Sequence, residues 1–184
     1  ISGREVSCKL DSLRLEHEKQ PWIPGDDQIR PTEETIFRKQ EAMDKVERKY
    51  ASPHAYIFDE VFNLSAEHFF LNESDLKEVD LDKVDFSSKV LVPNQFPYQC
   101  NPGTKHAIMW YAIYSEWASV LSSDNSEVKW VTELPTSQQI TLDIAKALEE
   151  ENSEREIQFV WYLNPKMTVP DVFHVQVFIR ELES

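Results

Sequence analysis

Two of the five histidines in this chain, His106 and His174, lie in short runs that alternate apolar and polar residues. Alternation at period two marks strands with one face buried. Both imidazoles fall on the side opposite the small or aliphatic residues of their runs. An imidazole titrates near ~6.5, so a pair facing one concavity suits acid–base work or pH-gated binding. Close to them in sequence stand Asn94, Tyr98, Trp110, Trp161, Asn164 and Arg180. Aromatic walls with a few amide, imidazole and guanidinium groups are what a small polar ligand needs. The expectation is a pocket in which His106 and His174 do the chemistry and the other six residues bind. The same histidines also fit a purely structural role, capping or satisfying polar groups of the core. The other three fit no site: His17 and His54 lack a titratable partner at useful spacing, and His68 precedes Phe69-Phe70 as a packing residue.

No H-x-x-x-H, H-E-x-x-H or C-x-x-C occurs, so the sequence calls for no metal and no other cofactor. Asp80-Leu81-Asp82 lacks the glycine and distal glutamate of a calcium loop. Gly3, Gly25 and Gly103 are the only glycines. They stand too far apart to cradle a phosphate, which excludes P-loop, dinucleotide and nucleophile-elbow architectures. Asp and Glu number 33 against 19 Lys and Arg, a formal net charge of −14. Such a chain repels nucleic acid and anionic membrane surfaces. The densest basic stretch, Arg38 to Lys49, is interleaved with Glu41, Asp44 and Glu47 and reads as a solvated helix face. No apolar run of about 18 residues is present to span a membrane. Cys8 and Cys100 are too distant in sequence to suggest a disulfide framework, and reduced thiols point to a cytoplasmic protein.

These side chains need a scaffold, and 184 residues with 41% hydrophobic content suffice for one domain. Residues 1–31 are polar and carry Pro21, Pro24, Gly25 and Pro31; they read as an extended arm, pinned at Trp22 and Ile23, whose first 20 residues add little stability. The domain proper spans 32–184. Thr32 caps a helix running to Tyr50, and Ser52-Pro53 starts a second to Phe62. A brief helix is expected over Ser74–Val84 and another over Ile113–Leu121. Thr136-x-x-Gln139 is a capping box that opens an amphipathic helix to Glu150. Strands are expected at 105–111, 157–163 and 172–180. In the last, Phe173, Val175, Val177 and Ile179 oppose His174, Gln176, Phe178 and Arg180. The class is α+β: N-terminal helices, then an antiparallel sheet with a helix packed on it. Between the short apolar run Val90-Leu91-Val92-Pro93 and the strand at 105–111, Pro93 to Gly103 forms a rigid, turn-rich loop suited to a ligand wall.

Four motifs taken together carry a resemblance: Val92-Pro93-Asn94-Gln95-Phe96-Pro97-Tyr98, Gly103-Thr104-Lys105-His106-Ala107-Ile108-Met109-Trp110, Trp161-Tyr162-Leu163-Asn164-Pro165, and Val169 through Arg180. In order and spacing they resemble the fungal N-acetylglucosamine-induced protein family, over roughly residues 32–180. The resemblance implies a link to the amino-sugar response and no defined activity. Two departures stand out: Lys166-Met167-Thr168 is poor in serine, and Gln176 stands where a second histidine is expected. There is also a faint similarity to histidine-triad nucleotidyl transferases, in which the residue at Gln176 would be the nucleophile. A glutamine amide cannot attack phosphorus usefully, so that mechanism is lost here.

Two classes of function remain open on the sequence. One is a small-molecule site, enzymic or sensory, for a sugar, sugar phosphate or nucleotide sugar, with Lys105 and Arg180 as the cations near the motifs. The other is a non-catalytic interaction or regulatory module, its acidic 63–89 segment docking a basic protein partner.

Overall fold

The computed structural model describes residues 1–6, 10–25, 31–114, 130, 132–151, 156–163, 169 and 171–182. Among these, β1 (Ser2–Glu5), β4 (Lys89–Pro93), β5 (Thr104–Tyr114), β6 (Ile157–Tyr162) and β7 (Val172–Glu181) form one sheet, in the order β1-β6-β7-β5-β4. Every neighbouring pair is antiparallel except β1 and β6, which run parallel. A separate ribbon pairs β2 (Phe69–Leu71) with β3 (Lys77–Val79). The architecture is α+β, as the period-two runs predict.

Odd-numbered residues of the long strands, among them Met109, Tyr111, Phe159, Trp161, Val175 and Val177, point to one face. There they pack against Ile140, Ile144 and Leu148 of α4 (Ser137–Glu151). These three α4 residues follow helical spacing, so one stripe of the helix meets one face of the sheet. Half of the expected capping box forms: the Gln139 N–H donates to Thr136 Oγ1 at 3.2 Å, while the Gln139 side chain donates to Asp143.

The even-numbered face is buried too, by two separate coverings. Leu13 of α1 (Leu10–Lys19), with Val6, Trp22 and Ile23, packs on Val160, Tyr162 and Phe178. Ile57 packs on Trp110 and Val172 farther along. It opens a π-helical turn, Ile57–Val61, that continues α3 (Pro53–Tyr56). Behind these lies α2 (Glu33–Lys49), capped by Thr32, which accepts from the Thr35 N–H at 3.1 Å.

Three expectations change. The segment over 1–31 is not an extended arm: its described residues form a strand and a helix docked on the sheet. Val6 N–H donates to the Trp161 carbonyl at 2.8 Å, and Leu13 is fully buried. Ser74–Val84 is not a helix; it holds β3 and a short 3-10 turn, Leu81–Lys83, because Asn72 Oδ1 accepts from the N–H of Ser74 and Leu76 and turns the chain into a hairpin. Ile113 and Tyr114 belong to β5, and the rest of the helix expected to Leu121 lies outside the described residues.

Candidate functional site

On the even face the register sets three cross-strand pairs in a row between β5 and β7: His106 with Phe178, Ile108 with Gln176, and Trp110 with His174. Above the last two pairs, beside the helical coverings, is a cavity of about 230 Å³. Its floor is Val92, Ile108, Trp110, His174 and Gln176. The β4–β5 loop supplies one wall through Asn94, Gln95, Phe96 and Tyr98; Tyr56, Ile57, Glu60 and Val61 supply the facing wall; Lys39 and Met43 of α2 complete it.

The loop holds its shape through its own polar groups. Asn94 Oδ1 accepts from the Phe96 N–H at 2.8 Å, and the Asn94 N–H donates to the His106 carbonyl at 3.0 Å. This Asx turn swings Tyr98 back over His106, with ring centroids 4.7 Å apart. Phe178 stacks on the imidazole at 4.5 Å and lies 6.2 Å from the Tyr98 ring, so the three rings form one cluster.

The backbone decides the state of His106. The Tyr98 N–H can only donate, and it donates to Nδ1 at 3.0 Å. In the neutral ring Nε2 therefore carries the hydrogen, and it donates to Gln176 Oε1 at 2.6 Å. Burial lowers the pKa to about 4, against the smaller opposing effect of the Gln176 bond, so the ring is neutral at pH 7. Both nitrogens are engaged. His106 is thus a buried, satisfied ring that holds the loop and Gln176 in place rather than a proton donor at the cavity.

His174 is fixed by the opposite logic. Its Nδ1 lies 2.8 Å from the Val172 carbonyl, which can only accept, so Nδ1 carries the hydrogen and Nε2 keeps a lone pair. Burial lowers this pKa as well, opposed by the Val172 bond. The ring packs on Trp110 at 4.3 Å. His174 and Gln176 are each only 3% exposed, yet both line the cavity. Among the described residues no hydrogen bond reaches His174 Nε2 or the Gln176 amide nitrogen.

Charge enters from the helices. Glu60 lies beside Asp59, and the Tyr50 hydroxyl sits 2.7 Å from a carboxylate oxygen of each. Hydrogen bonds from Tyr50 and Lys49 hold the Glu60 carboxyl below its ordinary range. Burial alone would raise Asp59, but hydrogen bonds from Lys77 (2.6 Å) and Tyr50 outweigh it. The half-buried Lys39 has its pKa lowered by burial.

Of the eight residues expected at the site, Asn94, Tyr98, Trp110 and His174 line the cavity, and His106 lies directly beneath it. Trp161 does not join them. Its odd position puts it on the opposite face, where its indole N–H donates to Thr141 Oγ1 of α4 at 2.9 Å. Arg180 keeps the right parity but stands exposed at the far end of β7, opposite Thr104, beyond the lining. Asn164 lies outside the described residues. Sequence reasoning missed Lys39, Tyr56 and Glu60, which reach the cavity only because α2 and the π-helical turn fold over the sheet. A π-helical turn often marks a functional site, but nothing in Ile57–Val61 announces one. Among the described residues no three His, Cys, Asp or Glu side chains gather to hold a metal ion, and no helix is long and apolar enough to cross a membrane.

Residues 26–180 match the family model described as protein of unknown function (DUF3605). No curated protein matches the chain. Among solved structures, one described as "Crystal Structure of HTC1" is similar at 14% identity, over 92% of this chain and 83% of that one, with a TM-score of 0.42. That likeness is too loose to carry a functional reading.

Proposed function

The chain belongs to the DUF3605 family of proteins of unknown function, and for this member we propose a binding role: the cavity takes one small polar ligand with an apolar face, such as a sugar or sugar phosphate. The observation that carries this reading is the lining itself. Trp110, Tyr56, Phe96 and Tyr98 offer aromatic surface, while Asn94, Gln95, His174, Gln176, Lys39 and Glu60 offer polar groups around the same volume. Ligand sites combine mostly apolar walls with a few placed polar groups in this way. A volume of about 230 Å³ falls below the ~300–1,000 Å³ of drug-sized pockets. It favours a single ring over a nucleotide sugar.

Binding is favoured over catalysis by the state of the two imidazoles. His106 has both nitrogens committed, and His174 presents a lone acceptor with no nucleophile bonded to it among the described residues. The resemblance to the fungal N-acetylglucosamine-induced family makes N-acetylglucosamine and its 6-phosphate the first compounds to try, within a panel of hexoses and hexose phosphates. A ligand present at 100 times its Kd stabilises by about 2.7 kcal/mol, which thermal melts detect easily. The parent should melt higher with at least one panel member, and Phe96→Ala, at a half-buried loop position, should reduce that shift. A panel that leaves the parent's melt unmoved at saturating concentrations would remove the sugar reading.

A further inference from the structure

From the hydrogen-bond polarity of the cavity floor we infer that the site recognises an uncharged group carrying an acceptor and a donor side by side, the pattern of a carboxamide, and turns carboxylates and phosphates away from the floor. This deepens the binding role proposed above and rests on it.

The polarity propagates from two backbone groups that have no choice of role. The Tyr98 N–H forces Nδ1 of His106 to accept, so Nε2–H donates and claims Oε1 of Gln176. That fixes the orientation of the Gln176 amide, with Oε1 turned to His106 and the NH₂ group left to the cavity as a donor. The Val172 carbonyl forces Nδ1 of His174 to donate, which leaves Nε2 as an acceptor. Gln176 and His174 are two residues apart on one face of β7, about 7 Å at Cα, and both side chains are almost wholly buried. A ligand reaching them meets one neutral donor and one neutral acceptor.

A carboxamide satisfies both: its oxygen accepts from Gln176 and its N–H donates to His174. A carboxylate or phosphate oxygen can take the Gln176 donor but opposes the His174 lone pair, and a buried group left unpaired is penalised. The charged lining residues, Lys39 and Glu60, come from the helices and not from the sheet. His106 acts as a positioning residue, since without its Nε2–H the Gln176 amide could turn over and present its oxygen instead.

Acetamide and acetate have nearly the same size and shape and differ in this polarity, which makes them suitable probes of the full chain. Long-range proton–nitrogen spectra of uniformly ¹⁵N-labelled protein report the histidine tautomers directly. The free protein should show His106 protonated on Nε2 and His174 on Nδ1 at pH 7. Either ring in the other tautomer would overturn the inference without any ligand. Acetamide should then shift the His174 Nε2 and Gln176 side-chain signals, binding at least about tenfold more tightly than acetate. Equal or tighter binding of acetate, or no response to either probe, would also overturn it. Gln176→Glu replaces the donor by a near-isosteric acceptor and should abolish the preference for acetamide, whereas a preference that survives would show that Gln176 is not the donor. If this pattern holds while no sugar binds, the carbohydrate reading fails and the floor polarity stands.

Discussion

His106 Nε2 donates to Gln176 Oε1 at 2.6 Å across the β5–β7 pair, two residues off the direct register that sets Ile108 opposite Gln176. That diagonal bond joins the loop wall of the cavity to its floor, because the other nitrogen of the same ring takes the Tyr98 N–H. Removing the ring should therefore cost stability before it costs recognition. His106→Ala leaves the loop N–H of Tyr98 without its acceptor and Gln176 Oε1 with only the long bond from Asn94 Nδ2 at 3.5 Å, at a cost of about 1–3 kcal/mol. In a chain of this length 1 kcal/mol corresponds to about 2–4 °C. The melting temperature should fall by roughly 5–10 °C in a calorimetric scan. An unchanged melt would show that the imidazole is not holding the loop.

Burial of the same ring makes stability depend on pH. Unfolding lets His106 take up a proton near its ordinary 6.5, while in the folded chain it resists protonation until about 4. Between those values the unfolded state binds more protons, so stability is full above pH 6.5 and drains as the pH falls toward 4. The contribution is about 3 kcal/mol at one unit per 1.36 kcal/mol. The groups around the ring, Tyr98, Phe178, Gln176 and Asn94, do not titrate in that window. Urea midpoints measured from pH 7 to pH 4 should fall more steeply for the parent than for His106→Gln. Parallel curves would contradict a buried neutral histidine.

Asp143 ties α4 to the sheet and was not legible beforehand as anything but a polar helix position. Its carboxylate takes Lys89 Nζ at 2.5 Å, the Tyr111 hydroxyl at 3.2 Å and the Gln139 amide at 2.9 Å. Asp143→Ala leaves the buried Tyr111 hydroxyl without its acceptor and should cost about 1–3 kcal/mol. Most of that loss should survive high salt, because Asp143 is buried and charge screening acts mainly on exposed pairs. A loss that disappears in salt would assign the effect to the exposed Lys89 side instead.

Strands were legible where alternation is strict. In Val172–Ile179 every second residue is apolar, and the parity that puts Val175 and Val177 toward α4 puts His174 and Gln176 on the other face. The same parity excludes Trp161, and applying it to Ile157–Tyr162 from the sequence would have removed that residue from the site. Lys39 and Glu60 could not be found in this way. They reach the cavity through the packing of helices on the even face, a non-local relation that spacing within one helix does not encode. Ser74–Val84 misled because its charges imitate a solvated helix, whereas a single side-chain turn at Asn72 directs it into a hairpin.

The N-terminal segment is where composition misleads most, and it supports the sharpest stability prediction. Residues 1–20 are polar on average, yet Val6 and Leu13 are buried against Val160, Tyr162 and Phe178. Ser2–Glu5 completes the sheet edge beside β6. Burying one such aliphatic side chain contributes about 1.5–3 kcal/mol. A chain that begins at Pro21 forfeits two of them and exposes the edge of β6. Its melting temperature should drop by on the order of 10 °C at about 2–4 °C per kcal/mol. Gly3 offers a test that leaves the segment in place. A Cβ built there would overlap the Phe159 ring, and that ring is held in the core beneath α4. Gly3→Val should therefore lift β1 from β6 and reproduce much of the loss, with the amides of Phe159 and Trp161 exchanging faster with solvent. Melts of both variants that match the parent would show that β1 and α1 are passengers, and that the sheet is complete at β6.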